Sequence, residues 1–257
     1  METKPLLDLK GISKSFGAVQ ALTNVNFHAS VGEVMALVGD NGAGKSTLIK
    51  GIAGIYPFDS GEIYFDGNQV HLHSPRDSAA LGIEVVYQDL ALADNLDVVA
   101  NMFLGRERTG AFWAMDEMSM EETAIETLKS LSVTSLRSVR QAVAGLSGGQ
   151  RQAIAVAKAV MWNSRLVILD EPTAALGVAQ TRQVLDLVKR LAQKGLAVVL
   201  ISHNLHDIFE AADRVTVLRL GHNVAEYVVK ETTQQEVVQA ITAGKIEHVP
   251  GMKEAEV

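Results

Sequence analysis

The chain contains no cysteine, which excludes a disulfide framework and thiolate-held metals and suits a reducing cytosol. It lacks any run of about 18 apolar residues, so no segment is expected to span a membrane. Any link to a membrane must then go through a partner. The start, METKPLLDLKGIS, mixes charges among its apolar residues and does not read as a signal peptide. Positive charge is scarce: 23 lysines and arginines face 30 acids, for a net charge of −7. That balance argues against a nucleic-acid surface, which shows a basic patch or stripe. There is no internal repeat. What remains is a chain of 257 residues, 47% of them hydrophobic, enough for one core with an inserted subdomain.

The N-terminal third alternates in strand fashion at 6–13, 22–30 and 33–39, with SFGAVQ as a turn region. Strands this closely spaced, with no helix between them, predict antiparallel pairing. After a glycine-rich loop, KSTLIKGIAG predicts a short helix closed by Gly54. GEIYFDG (61–67) and IEVVYQ (83–88) read as strands. Over 93–162 strand signals vanish and helical patterns take over in LDVVANMFLG, MSMEETAIETLKSL and QAIAVAKAVMW. RLVILDEP and LAVVLIS are almost wholly apolar, as central parallel strands are. Between them VAQTRQVLDLVKRLAQKG predicts an amphipathic helix ended by Gly195, and the remainder reads helix, strand, helix. The expected fold is α/β: a parallel-sheet core with right-handed crossovers, an N-terminal antiparallel β subdomain and an inserted α-helical subdomain. The expected division is a core of 1–92 and 163–245, a helical subdomain of 93–162 and a flexible tail of 246–257.

GDNGAGKST fits the phosphate-loop pattern G-x-x-x-x-G-K-[ST] and stands between a buried strand and a helix, the context that pattern requires. Its residues are Gly39, Asp40, Asn41, Gly42, Ala43, Gly44, Lys45, Ser46 and Thr47. The glycines let backbone N–H groups curl round phosphate oxygens, Lys45 can reach the β- and γ-phosphates, and the Ser46 hydroxyl can ligate Mg²⁺. LVILDE places Asp170 and Glu171 at the C-terminal end of a buried strand, where open α/β sheets bind ligands. Asp170 suits Mg²⁺, and Glu171, one residue on, can polarise a water aimed at the γ-phosphate. LSGGQRQ forms a second anion device. Ser147 is a good N-cap, and Gly148 and Gly149 permit close approach to the positive end of the helix that follows. Chance would produce LSGGQ in about one chain of this length per thousand or fewer.

In this order, GDNGAGKST, LSGGQRQ, LVILDEPT and LISHN resemble the ATP-binding subunits of ABC transporters, across about residues 6–245. The resemblance implies a phosphate-loop NTPase (RecA-like) fold and ATP and Mg²⁺ as cofactors. It also implies a head-to-tail homodimer in which one copy's phosphate loop and the other's Ser147, Gly148, Gly149 and Gln150 trap ATP between them. The second anion device would then serve a partner's nucleotide. Gln88 resembles the glutamine that touches Mg²⁺ and the attacking water, and the segment after it contacts the membrane subunit in that family. His203 resembles the switch histidine that hydrogen-bonds the γ-phosphate and orients Glu171. Phe16 resembles the aromatic that stacks on adenine. After EPT the family commonly reads S-A-L-D; here AALG puts Gly177 in place of the acid, which removes a contact between the two sites.

GIEVVYQDLALADNLDVVANMFLGRE and EPTAALGVAQT are similar to the bacterial monosaccharide importers, in their single-cassette form. That likeness implies polytopic permease partners, indirect dependence on a periplasmic sugar-binding protein, and a peripheral place on the cytoplasmic face of the inner membrane. The competing readings are a cassette for another small solute, an exporter, or a DNA-repair-type ATPase of the same superfamily. The last would carry long coiled coils or zinc modules between its two nucleotide motifs. Here about a hundred residues separate them, without sustained heptads or cysteines. A guanine-specific Asn-Lys-x-Asp motif is missing as well. His71 and His73 share one strand face but have no evident third ligand, and read as a solvated strand or loop. Phe112 and Trp113 read as an apolar corner of the insert or part of a docking surface. If the signature serves a partner, Ser147→Arg will abolish ATP-driven dimerisation, read by size-exclusion chromatography, while nucleotide binding to the monomer survives.

Overall fold

Val34–Val38 reads VMALV, and all five residues are buried. A strand sends alternate side chains to opposite faces, so both faces of this one are covered. Met35 and Leu37 enter one apolar cluster, and Val34, Ala36 and Val38 enter another. The same division runs through Leu166–Asp170, where Leu166 and Ile168 part from Val167 and Leu169. In Ala197–Ile201 it separates Ala197, Val199 and Ile201 from Val198 and Leu200. One sheet thus divides the molecule into two cores.

The computed structural model describes residues 4–110 and 114–243. In chain order come β1 (Leu7–Phe16), β2 (Val19–Ala29), β3 (Val34–Val38), α1 (Lys45–Ile52), β4 (Ser60–Phe65), β5 (Asn68–Val70), α2 (Pro75–Ala80) and β6 (Ile83–Val86). Next are the helices α3 (Val98–Phe103), α4 (Glu117–Ser130) and α5 (Gly148–Val160). Then follow β7 (Leu166–Asp170), α6 (Val178–Gln193), β8 (Ala197–Ile201), α7 (Leu205–Ala211), β9 (Arg214–Arg219), β10 (His222–Val228) and α8 (Gln234–Ala243). Phe112, Trp113 and the expected tail of 246–257 lie outside the described residues.

The large sheet has the order β10-β9-β3-β8-β7-β6. Every pairing from β9 to β6 is parallel, and β10 adds an antiparallel edge. The second sheet, β2-β1-β4-β5, is antiparallel. It closes over one face of the large sheet together with α1, while α3 to α7 close over the other. This is the α/β architecture expected from the sequence, with one correction. β3 does not pair with β1 and β2; it crosses to the middle of the large sheet, because only there are both of its apolar faces buried. Two strands and a helix were not anticipated. β5 follows Asp66 and Gly67, both at positive φ (53° and 75°), and β10 follows Leu220 and Gly221 (47° and 79°). Both are two-residue hairpin turns. α2 starts at Ser74-Pro75, with Asp77 accepting from the Ser74 N–H at 2.8 Å, a capping signal present in the sequence.

The helical stretch has no separate core. Val98, Met102, Phe103 and Met120 lie in the same cluster as Val34 and Leu169. Two polar devices hold its entrance. Asn101 is fully buried; its Oδ1 accepts from the Ala93 N–H at 2.7 Å, and its Nδ2 donates to the carbonyls of Ala93, Leu96 and Asp97 at 3.0, 3.3 and 2.9 Å. Arg140 reaches Glu121 at 2.8 Å, Glu117 at 3.2 Å and Asp97 at 3.5 Å, so it joins the start of α3 to the first half of α4. Those ion pairs are largely exposed and contribute little singly, whereas the Asn101 set is sealed from water. Asn101→Leu will therefore cost about 1–3 kcal/mol, because it leaves the Ala93 N–H without an acceptor and takes away one of the two donors to the carbonyls of Ala93, Leu96 and Asp97, which keep their backbone N–H partners. A lower urea midpoint at unchanged m-value will show it.

Candidate nucleotide site

Parallel strands place all their C-terminal ends on one edge of the sheet. β3 runs into Gly39–Thr47, β6 into Gln88, β7 into Asp170 and Glu171, and β8 into Ser202 and His203. A cleft of about 450 Å³ opens on that edge. Asn41 to Thr47, Gln88, Asp170, Glu171 and Ile201 line it, and Val19, Gln20 and Ala21 at the start of β2 form a further wall.

The phosphate loop takes its shape from two close approaches. A Cβ on Gly39, at φ 152°, would stand 2.2 Å from the Leu218 carbonyl oxygen. On Gly44, at φ 104°, it would stand 2.7 Å from Leu22 and 2.9 Å from the Ala21 carbonyl. Only glycine fits either place. Lys45 opens α1, and its Nζ donates to the carbonyls of Gly39 at 2.6 Å and Asp40 at 3.0 Å. Gly39 and Asp40 thus bear on the cleft through Lys45 rather than by lining it.

Burial presses the two principal charges toward neutrality. It holds Lys45 below the usual lysine range, against the pull of Glu171, Asp40 and Asp170. It raises the Asp170 carboxyl above the usual range, with the Glu171 charge adding to the effect and Lys45 and Lys50 opposing it. Glu171 sits at φ 52°, and its N–H donates to the Ile201 carbonyl at 2.9 Å. His203 Nδ1 lies 2.8 Å from Glu171 Oε2, with the histidine side chain 76% exposed and that of Glu171 15%. A pair with one partner open to water is weakened by solvent screening, while a left-handed non-glycine residue costs about 1 kcal/mol or more. Stability does not account for the arrangement; a site does.

Two sequence-named groups stand apart from the cleft. Phe16 is 47% exposed and is not among the lining residues. Its ring meets Tyr56 edge-on at 5.2 Å, and the Tyr56 hydroxyl donates to the Thr47 carbonyl at 3.1 Å, so it abuts the phosphate loop through one intervening ring. Ser147, Gly148, Gly149 and Gln150 also line no part of the cleft. Ser147 caps α5: its Oγ accepts from the Gln150 N–H at 3.3 Å, and Gln150 Oε1 accepts from the Ser147 N–H at 2.9 Å. Gln150 Nε2 donates to the Ser135 carbonyl at 2.7 Å, so its side chain is engaged within the chain. A Cβ on Gly148 would stand 2.8 Å from Leu176, next to the Gly177 turn. His71 and His73 stack 6.1 Å apart at the edge of the small sheet, and among the described residues no cluster of three metal-ligating side chains occurs. The wall at Val19 and Gln20 carries no sequence signal, because only the folding of β2 beside the phosphate loop places it at the cleft, and Tyr56, past α1, meets Phe16 and Thr47 only in the fold.

Residues 22–174 match the ABC transporter family. The fructose import ATP-binding protein FrcA of Rhizobium meliloti is 43% identical over 251 residues, covering 95% of this chain and 96% of that one. The xylose/arabinose import ATP-binding protein XylG of Sulfolobus acidocaldarius is 44% identical over 238 residues, covering 93% and 94%. The ribose import ATP-binding protein RbsA of Clostridium tetani is 39% identical, and this chain spans 49% of it. Among solved structures, a nucleotide-free ATP-binding cassette from an ABC transporter superposes with a TM-score of 0.80 at 26% identity, covering 93% of this chain and 96% of that one. A dimeric cassette in a post-hydrolysis state, bound to ADP and Pi, gives 0.70 at 27% identity, covering 87% and 98%. No helix among the described residues is long and apolar enough to cross a membrane. A family match over more than half of the chain, joined to 43% identity along nearly all of it, establishes that the chain belongs to the ABC transporter family and is one of its ATP-hydrolysing, ATP-binding subunits.

Proposed function

We propose that this subunit powers import of a monosaccharide by closing, as a head-to-tail homodimer, on two ATP molecules. The observation that carries the reading is the separation of two anion devices. The cleft holds Lys45, Gln88, Asp170 and Glu171, with His203 on Glu171, while Ser147 to Gln150 stand outside it. That the signature lines no part of its own chain's cleft supports its serving a second copy. The sugar class rests on the relatives, which import fructose, xylose or arabinose, and ribose. The fructose and xylose/arabinose relatives match this chain along nearly their whole length, which supports one cassette per chain and pairing with a second copy.

In hydrolysis Lys45 neutralises the β- and γ-phosphate oxygens, and Glu171 accepts the proton of the attacking water. In its imidazolium form His203 donates from both nitrogens, Nδ1 to Glu171 and Nε2 toward the γ-phosphate. The donor set of Ser46 hydroxyl, Gln88 amide and Asp170 carboxylate suits Mg²⁺, which takes oxygen ligands and draws the remainder from phosphate and water. When bound, Mg²⁺ neutralises charge on the phosphate oxygens. Phe16 takes the adenine side, with Tyr56 behind it. Burial that presses Lys45 and Asp170 toward neutrality fits a cleft that receives an anion and a cation together.

Transmission runs through residues 93–162, which we take as the subdomain carried by closure of the core (1–92 and 163–245). A groove of about 280 Å³ lies between β6 and α5, just past Gln88. Tyr87, Leu90, Leu104 and Trp162 give it apolar walls, and its charges are mixed: Lys158, Asp89 and the Arg106–Glu84 pair at 3.1 Å. This groove suits a segment of a polytopic permease, which would hold the subunit at the cytoplasmic face of the inner membrane, downstream of a periplasmic sugar-binding protein.

Glu171→Gln tests the mechanism. The variant will form an ATP-dependent dimer on size-exclusion chromatography while turnover falls at least a hundredfold, and the tagged variant drawn from membranes will bring a polytopic protein with it. Unchanged hydrolysis would reject Glu171 as the base.

A further inference from the structure

Two loops must be held in register for Glu171 and His203 to meet, and a buried carboxylate that the mechanism does not use lies between them. Asp207, in the first turn of α7, is 4% exposed. Its Oδ2 accepts from the Thr173 hydroxyl at 2.6 Å, and its Oδ1 accepts from Asn204 Nδ2 at 3.0 Å. Thr173 follows Glu171 by two residues, and Asn204 follows His203 directly. The carboxylate thus joins the loop after β7 to the loop after β8, across 34 positions of sequence.

Helix capping would give a simpler account of an acid at this place, since the third residue of a helix often accepts from the N-cap N–H. That bond is not made. The N–H of Asn204, the N-cap, donates to Ser202 Oγ at 3.0 Å, and the Asn204 side-chain oxygen accepts from the His206 N–H at 3.0 Å. With the cap satisfied by its neighbours, Asp207 turns its second oxygen to Thr173 instead. A buried carboxylate is retained where both oxygens find donors, and one of these donors belongs to the loop that carries the proposed base. Side chains therefore bridge the two loops twice, by the Glu171–His203 contact and by the partly buried Thr173–Asp207 bond.

We propose that Asp207 is a positioning residue: through Thr173 and Asn204 it holds the loop of Glu171 at hydrogen-bond distance from the loop of His203. The inference rests on the reading of Glu171 and His203 given above. It assigns Asp207 no contact with nucleotide, so its removal lowers the rate of chemistry rather than the affinity for ATP.

Steady-state ATPase kinetics of Thr173→Val, Thr173→Ser, Asp207→Asn and the double variant Thr173→Val/Asp207→Asn test it, with Glu171→Gln alongside. Thr173→Val and Asp207→Asn will each lower kcat tenfold or more with KM for ATP within twofold of the parent. Thr173→Ser, which keeps the hydroxyl, will restore kcat to within twofold. The double variant will be no slower than the slower single one, as two ends of one bond require. An unchanged kcat in Thr173→Val overturns the proposal. So does a serine variant as slow as the valine one, a KM that rises in step with the loss of kcat, or a double variant whose losses multiply. Should Asp207→Asn not fold, the valine and serine variants of Thr173 decide alone. Full turnover in Glu171→Gln overturns this inference together with the reading beneath it, whereas an inactive Glu171→Gln beside a normal Thr173→Val overturns this inference only.

Discussion

Burial of both faces of one parallel sheet is the constraint from which the rest of the molecule follows. Strands such as VMALV and LVILD present apolar side chains to both sides, so neither face can be left to water. The antiparallel sheet with α1 covers one side and the helices cover the other. Because the covered strands are parallel, all their C-terminal ends reach the same edge. Phosphate loop, glutamine, carboxylate pair and histidine meet there, though they are separated by as much as 164 positions, from Gly39 to His203. The site is a by-product of the way the core is built, and this is why open α/β sheets bind ligands at that edge.

At this edge the backbone departs from its preferences. Glu171 takes a left-handed conformation directly after β7, where a continued strand would have sent its side chain into one of the two cores. The turn lifts the carboxylate to His203 while its N–H stays bonded to β8. Packing of β7 between β6 and β8 over-determines that turn, which is how a strained residue persists in a folded protein.

The residues of the proposed chemistry are far more legible in the sequence than the contacts that aim them. The roles proposed for Lys45, Ser46, Asp170, Glu171 and Ser147 rest on the local backbone on which they sit: a loop before a helix, the end of a strand, an N-cap. Such contexts are written in neighbouring residues. β3 was read into the wrong sheet because periodicity reports which faces are buried and not which strand lies alongside. β5 and β10 are short or partly exposed and carry a weak apolar alternation, although Asp66-Gly67 is a hairpin signal that points to the first. Asn101 and Asp207 looked like ordinary polar helical residues. Their contacts depend on partners that only the fold supplies, such as Thr173 at 34 positions' distance, as does the edge-on contact of Phe16 with Tyr56.

Gly177 caps α6 with φ −74° and ψ 161°, a conformation open to every residue, and a Cβ placed there meets nothing within 4 Å. A residue with a side chain would find both the backbone conformation and the space it needs here. The turn is thus a ready graft point: a side chain of chosen length or charge could be mounted beside the signature helix without repacking anything beneath it.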